Sequence, residues 1–254
     1  MSLLEVQQVG VRFGGVVALE SLSFSLEADQ ICALIGPNGA GKTTLFNVVS
    51  RIYEPSQGQV LFDGHDLLAT EAHKIIDLGV ARTFQNLALV PGLTVLQNVM
   101  IGAYGRSRGG IWASMLRLPP VRSEERRVTN AALEILDRLG LSRVAAQPCA
   151  GLPYGTLKRI EFARALASNP KLLMLDEPAS GLTHSEVDEL GVLIQQIREE
   201  FSLTVLLVEH HMSMVMAISQ KVVVMDLGRK IAEGTPAEVA EDPVVIAAYL
   251  GAPA

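Results

Sequence analysis

The sequence predicts an α/β fold: a mostly parallel sheet flanked by helices, with an antiparallel β subdomain beside it and a helical subdomain inserted into it. Three observations carry this. Short continuous apolar runs at 30–36 (QICALIG), 171–175 (KLLML) and 203–208 (LTVLLV) suit strands buried on both faces. These runs alternate with helical patterns, as parallel sheets require. Between about residues 94 and 168 strand signals vanish and amphipathic helical periodicity replaces them.

Taken in order, residues 3–13 and 59–62 read as strands of the antiparallel part. The run at 30–36 ends at a glycine-rich turn, and 42–51 follows as a helix with Leu45, Phe46, Val48 and Val49 apolar. Residues 102–120 are rich in Gly, Arg and Ser, carry the single tryptophan, Trp112, and read as a mobile or partner-facing loop. Residues 123–139 form an amphipathic helix with Val128, Ala132, Ile135, Leu136 and Leu139 on one face. Ser123 is suited to cap its start and Gly140 its end. A second helix at 156–168 aligns Leu157, Ile160, Ala163 and Leu166, and stops before Asn169 and Pro170. Lys221–Asp226 and a strand at 229–233, joined through Leu227 and Gly228, read as a hairpin. The expected organisation is one domain over 1–254. Residues 1–93 and 169–254 form its α/β core and antiparallel part, and about 94–168 its helical part.

The bulk numbers bound the function. The chain has 254 residues, 49% hydrophobic and 19% charged, a composition that excludes extensive disorder. A net charge of −6 argues against broad nucleic-acid binding, although Arg122, Arg126 and Arg127 make a small basic patch. No stretch approaches the roughly 20 apolar residues of a spanning helix. The start, MSLLEVQQV, lacks the basic region and apolar run of a signal peptide. Cys32 and Cys149 lie far apart, without metal spacing, and read as free buried thiols of a reducing compartment. The expectation is a cytoplasmic chain that docks on something in the membrane.

Gly36, Pro37, Asn38, Gly39, Ala40, Gly41, Lys42 and Thr43 match the phosphate-binding pattern G-x-x-x-x-G-K-[ST]. The glycines let consecutive backbone N–H groups turn inward, and the following helix adds the positive end of its dipole. Lys42 supplies a point charge for the β- and γ-phosphates, and Thr43 a hydroxyl for Mg²⁺. On another strand, Leu172 to Leu175 are apolar and Asp176 and Glu177 emerge at its carboxyl end, where open α/β sheets bind ligands. Asp176 can hold Mg²⁺ through water, and Glu177 can polarise an attacking water.

The order of these motifs resembles the ATP-binding subunits of ABC transporters over nearly the whole chain. GPNGAGKTT, ending at Thr44, looks like the family's Walker A, and LLMLDEP like its Walker B. Gln85, in ARTFQN, sits at the Q-loop glutamine, which ligates Mg²⁺ and senses the membrane partner. His210, in LLVEHHM, sits at the switch histidine that contacts the γ-phosphate. His211 stands where the family has an acidic residue. Phe13 takes the place of the aromatic that stacks on adenine, and Ser180, Gly181, Leu182 and Thr183 fall at the D-loop. The signature motif departs from the family norm Leu-Ser-Gly-Gly-Gln and reads Leu152, Pro153, Tyr154, Gly155, Thr156. Pro153 has neither hydroxyl nor N–H to offer a second subunit's ATP. This signature and the ending DPVVIAAYLG are similar to one ATPase of the branched-chain (hydrophobic) amino acid importers. Importers of urea and short amides share much of the pattern, and a lipopolysaccharide-type exporter is a further alternative.

The resemblance implies a P-loop NTPase core that hydrolyses ATP with Mg²⁺ held by Thr43, Gln85 and Asp176. Glu177 would act as base and His210 would hold the γ-phosphate. It also implies two ATPase subunits paired head to tail, as sisters or copies, with each signature helix closing the other's site. Two permease subunits and a periplasmic binding protein would complete the complex. The chain would lie on the inner face of the cell membrane, with a permease helix docked near residues 86–92. A nucleotide-gated module that does not hydrolyse is the rival from another class.

Overall fold

The computed structural model describes residues 2–83, 88–104 and 119–250. It divides into two compact units, one of Met1–Ile75 with Lys171–Ala254 and one of Ile76–Pro170.

The first unit contains two sheets. Strands β1 (Ser2–Phe13), β2 (Val16–Glu27), β4 (Gln57–Phe62) and β5 (His65–Asp66) form an antiparallel sheet in the order β2-β1-β4-β5. The sequence pattern hides β2. Its inward residues are Leu19, Leu22, Phe24 and Leu26, so the first step is three residues rather than two. An extra residue in the register restores the face: Val9 pairs with Leu22 and Val11 with Leu19, and Ser21 between them adopts φ +49°.

The other sheet places β3 (Ile31–Ile35) between β8 (Thr204–Val208) and β9 (Lys221–Asp226), parallel to both. Strand β7 (Leu172–Asp176) lies parallel to β8, and β10 (Arg229–Gly234) closes the far edge antiparallel to β9 as the expected hairpin. Every residue of β3, β7 and β8 is buried, which is why each reads as an unbroken apolar run. Three parallel strands therefore end together, at Ile35, Asp176 and Val208. Helix α1 (Lys42–Val49) follows the turn after β3. Four further helices, His184–Phe201, Met212–Ile218, Pro236–Glu241 and Pro243–Leu250, complete the unit. Val239 and Val245 of the last two pack into a cluster with Ala33, Ile35, Val222 and Val224.

The second unit holds a three-residue strand, β6 (Val80–Arg82), too short to show in a sequence pattern. Its longer helices among the described residues are Val95–Tyr104, Pro119–Arg138 and Tyr154–Leu166. The face of Val128, Ala132, Ile135, Leu136 and Leu139 is buried as expected, and Gly140 ends that helix at φ +69°. The start differs: Ser123 lies inside the helix, which begins at Pro119. Proline is tolerated in a first turn, where its missing N–H would have had no partner. The last helix begins two residues before the expected Thr156 and ends at Leu166. Asn98 is fully buried and joins the Val90 N–H and carbonyl, the Thr94 carbonyl and the Cys149 sulfur. A Cβ on Gly102 would meet the Arg164 carbonyl oxygen at 1.9 Å, so two helices touch there backbone to backbone. The proposed loop at 102–120, with Trp112, lies mostly outside the described residues.

Both cysteines are free and buried, and burial pushes the Cys32 thiol up to about 12. Among the described residues no helix is long and apolar enough to cross a membrane.

Candidate functional site

The turn after β3 is shaped by two glycines that nothing larger replaces. Gly36 has φ +152°, and a Cβ there would stand 2.1 Å from the Met225 carbonyl oxygen. Gly41 has φ +98°, and its Cβ would lie 2.6 Å from the Ala18 carbonyl oxygen. The Ala40 N–H donates to the Pro37 carbonyl at 3.2 Å and the Gly228 N–H to the Ala40 carbonyl at 3.1 Å, which closes the turn. No side chain caps α1 and no acidic residue sits in its first turn, so its leading N–H groups carry their positive potential outward. That is the cradle an anionic phosphate requires. Gly36→Ala is expected to break it: the backbone clash moves the loop and nucleotide binding is lost. Calorimetric titration with ATP checks this, and parental affinity would sink the reading.

Lys42 is nearly buried. Its Nζ donates to the Gly36 carbonyl at 2.7 Å and the Pro37 carbonyl at 2.9 Å. Burial lowers its pKa, and the Glu177 carboxylate opposes that fall. A cleft of ≈ 270 Å³ is lined by Asn38, Gly39, Ala40, Gly41, Lys42, Thr43, Thr44 and Glu177, with Val16, Val17 and Ala18 of β2. The sequence reading missed this last wall. Val16 is 67% exposed, an apolar surface facing solvent beside a polar turn, and a flat base could rest on it. Phe13 pairs with Val16 across the hairpin and meets Tyr53 edge-on at 5.2 Å between ring centres.

Asp176 closes β7 and is almost wholly buried. Glu177 follows at φ +46°, a conformation that a side chain with a Cβ holds only when its surroundings insist. Its N–H donates to the Val208 carbonyl at 2.9 Å, and its carbonyl accepts from Ser180 at 3.1 Å. Gly181 turns the chain at φ +80°. Thr183 then caps the His184–Phe201 helix in a reciprocal box with Glu186. The Thr183 N–H and hydroxyl hold the Glu186 carboxyl below its usual range.

Of the two adjacent histidines, His210 leaves its side chain 58% exposed, whereas the His211 ring is turned in, with Nδ1 2.9 Å from Glu209 Oε2. Ligand atoms of Glu209, His210 and His211 all lie within 4.8 Å of one another. The Glu209 oxygens are already taken by N–H donors, so the trio is a hydrogen-bond network rather than a metal cage. Glu209 escaped the sequence reading, although an acid directly after a buried strand and before two histidines was a visible signal. Thr43 and Asp176 offer only oxygen donors, the set that suits a hard divalent cation. Gln85, the third expected ligand, and Asn86 of the expected docking segment lie outside the described residues.

In the second unit Pro153 is the N-cap of the Tyr154–Leu166 helix and makes no side-chain cap bond. Tyr154, Gly155 and Thr156 therefore form its first turn, whereas the sequence had placed only Thr156 at its start. Tyr154 and Gly155 are exposed, and nothing lies within 4 Å of where a Gly155 Cβ would be. Leu152 precedes them, half-buried.

Comparison with known proteins shows the family and the fold. The ABC transporter family model matches residues 19–180, and a model for the branched-chain amino acid ATP-binding cassette transporter matches residues 229–254. The chain is 39% identical to BraF of Pseudomonas aeruginosa, a high-affinity branched-chain amino acid transport ATP-binding protein, over 98% of each chain. It is 38% identical to LivG of Escherichia coli, a protein of the same description, over 98% of each. Among solved structures, a nucleotide-free ATP-binding cassette from an ABC transporter superposes with TM-score 0.84 at 30% identity, covering 99% of this chain and 100% of the other. The ADP conformation of such a cassette gives TM-score 0.85 at 30% identity, covering 99% of both.

Proposed function

The chain belongs to the ABC transporter ATP-binding family, whose cassettes bind and hydrolyse ATP, and from that premise we propose that it powers uptake of branched-chain or other hydrophobic amino acids through a membrane permease. The observation that carries the substrate class is the match of its last segment, residues 229–254, to the branched-chain amino acid cassettes. In the structure the described part of that segment, 229–250, is β10 and the two final helices, anchored by Val239 and Val245.

In this reading the turn from Gly36 to Thr44 wraps the phosphates of ATP, and Lys42 gives up its two carbonyl partners to meet them. Phe13 and the Val16 wall receive the base. Glu177 accepts the proton of the attacking water, and His210, with its exposed ring, holds the γ-phosphate. Thr43, Asp176 and Gln85 would hold Mg²⁺, which when bound would offset charge developing on the phosphate oxygens. The first turn of the Tyr154–Leu166 helix aims its N–H groups at ATP on a second cassette, a sister or a copy, and the bend Ser180, Gly181, Leu182, Thr183 crosses to that partner. Pro153 contributes no hydroxyl, so backbone N–H groups carry that contact. Two permease subunits in the membrane and a periplasmic binding protein complete the assembly, with this chain on the inner face of the membrane and no nucleic acid.

The test is uptake. The full-length chain, reconstituted in vesicles with its co-purifying permease and binding protein, is expected to drive ATP-dependent accumulation of leucine, isoleucine or valine. Accumulation of urea or a short amide, with none of these amino acids, would overturn the substrate assignment.

A further inference from the structure

Glu209 stands between β8 and His210, and its side chain is fully buried. Three backbone N–H groups and the His211 ring converge on it. Oε1 accepts from the Ala179 backbone at 2.8 Å. Oε2 accepts from the His210 backbone at 2.8 Å and the His211 backbone at 3.1 Å. It also lies 2.9 Å from His211 Nδ1, which donates if it carries the ring proton. Burial alone would raise this carboxyl's pKa; the hydrogen bonds from His211, Ala179 and His210 instead hold it below its usual range. It is a buried anion with its lone pairs matched.

The two ends of this network belong to different turns. Ala179 lies two residues beyond Glu177, in the turn after β7. His210 and His211 lie in the turn after β8. A second tie runs alongside, from the Glu177 N–H to the Val208 carbonyl. Glu177, left-handed at φ +46°, is thus held from both sides. Glu209 has no exposed surface with which to touch nucleotide, so whatever it does for the reaction it does through its neighbours.

We propose that Glu209 is a positioning residue for ATP hydrolysis: its carboxylate holds the Glu177 turn and the His210 turn in one fixed relation, and the His211 ring completes its shell instead of serving as a second phosphate ligand. This rests on the reading of Glu177 as base and His210 as γ-phosphate ligand.

A side chain present only to fill space would tolerate an amide of the same shape. Glutamine at 209 can keep the Ala179 bond, but its amide nitrogen would then confront the three donors from His210 and His211. Glu209→Gln in the full-length chain is therefore expected to lower kcat for ATP by about 10²-fold, the cost of displacing reacting groups by about 1 Å, while equilibrium ATP affinity is retained. In a His210→Ala background the same change is expected to cost less, because one of the two reacting groups it holds in relation is gone. An equal factor in both backgrounds, or parental kcat in Glu209→Gln, overturns the proposal. Parental turnover in His210→Ala alone sinks the assignment of His210 and the proposal with it. Should Glu209→Gln fail to fold, position 211 decides: His211→Leu is expected to lower kcat and His211→Asn, whose side-chain N–H reaches the same oxygen, to recover it. Parental kcat in His211→Leu would overturn the role given to the ring.

Discussion

Glu177→Gln is expected to bind ATP, to lose turnover by about 10²- to 10⁴-fold, the range for removing a general base, and to accumulate ATP-bound dimers. The backbone reasons for the φ +46° conformation survive, since the Val208 and Ser180 hydrogen bonds are main-chain bonds. The amide keeps the shape of the carboxylate and loses its ability to take a proton. A dimer closed over intact ATP then loses hydrolysis as its route to reopening. Size-exclusion chromatography with ATP, beside a phosphate-release assay, reads both effects. Normal turnover would remove Glu177 from its role. The change also deletes the carboxylate that favours the Lys42 ammonium against burial. The Lys42 pKa therefore falls, and affinity that depends on its charge is lost at a lower pH on the alkaline side than in the parent.

Lys42→Ala is expected to lose ATP affinity itself, by roughly 10- to 100-fold, since a hydrogen bond to a charged group contributes about 1.5–3 kcal/mol. The ammonium now held between the Gly36 and Pro37 carbonyls is the only cation lining the cleft among the described residues. Those carbonyls edge an open cleft, so water can replace the lost donor and the fold should stand. Titration with ATP, with a thermal melt as control, separates binding from folding. Affinity equal to the parent's would mean that phosphate does not sit here.

The two predictions draw on positions that differ in how readable they were. The turn at 36–43 was legible because its constraints are local: glycines where the backbone must turn left-handed or pass close to a neighbour, then a lysine at the head of a helix. Strands β3, β7 and β8 were legible because burial on both faces writes an unbroken apolar run. Strand β2 was not, because the irregularity at Ser21 breaks its alternation. The starts of two helices fell short of where they lie, because a first turn accepts proline, as at Pro119, or follows it, as after Pro153.

What the sequence determined by itself is the α/β layering, the phosphate turn, and the pair Asp176 and Glu177 at a strand's carboxyl end. Each depends on residues adjacent in the chain. Only the tertiary structure decided which histidine is exposed, that Val16 and Val17 wall the cleft, and what Glu209 binds. Ala179 precedes Glu209 by 30 residues, and the two meet only because β7 and β8 lie side by side. No local pattern records a hydrogen bond that exists only once the sheet has formed.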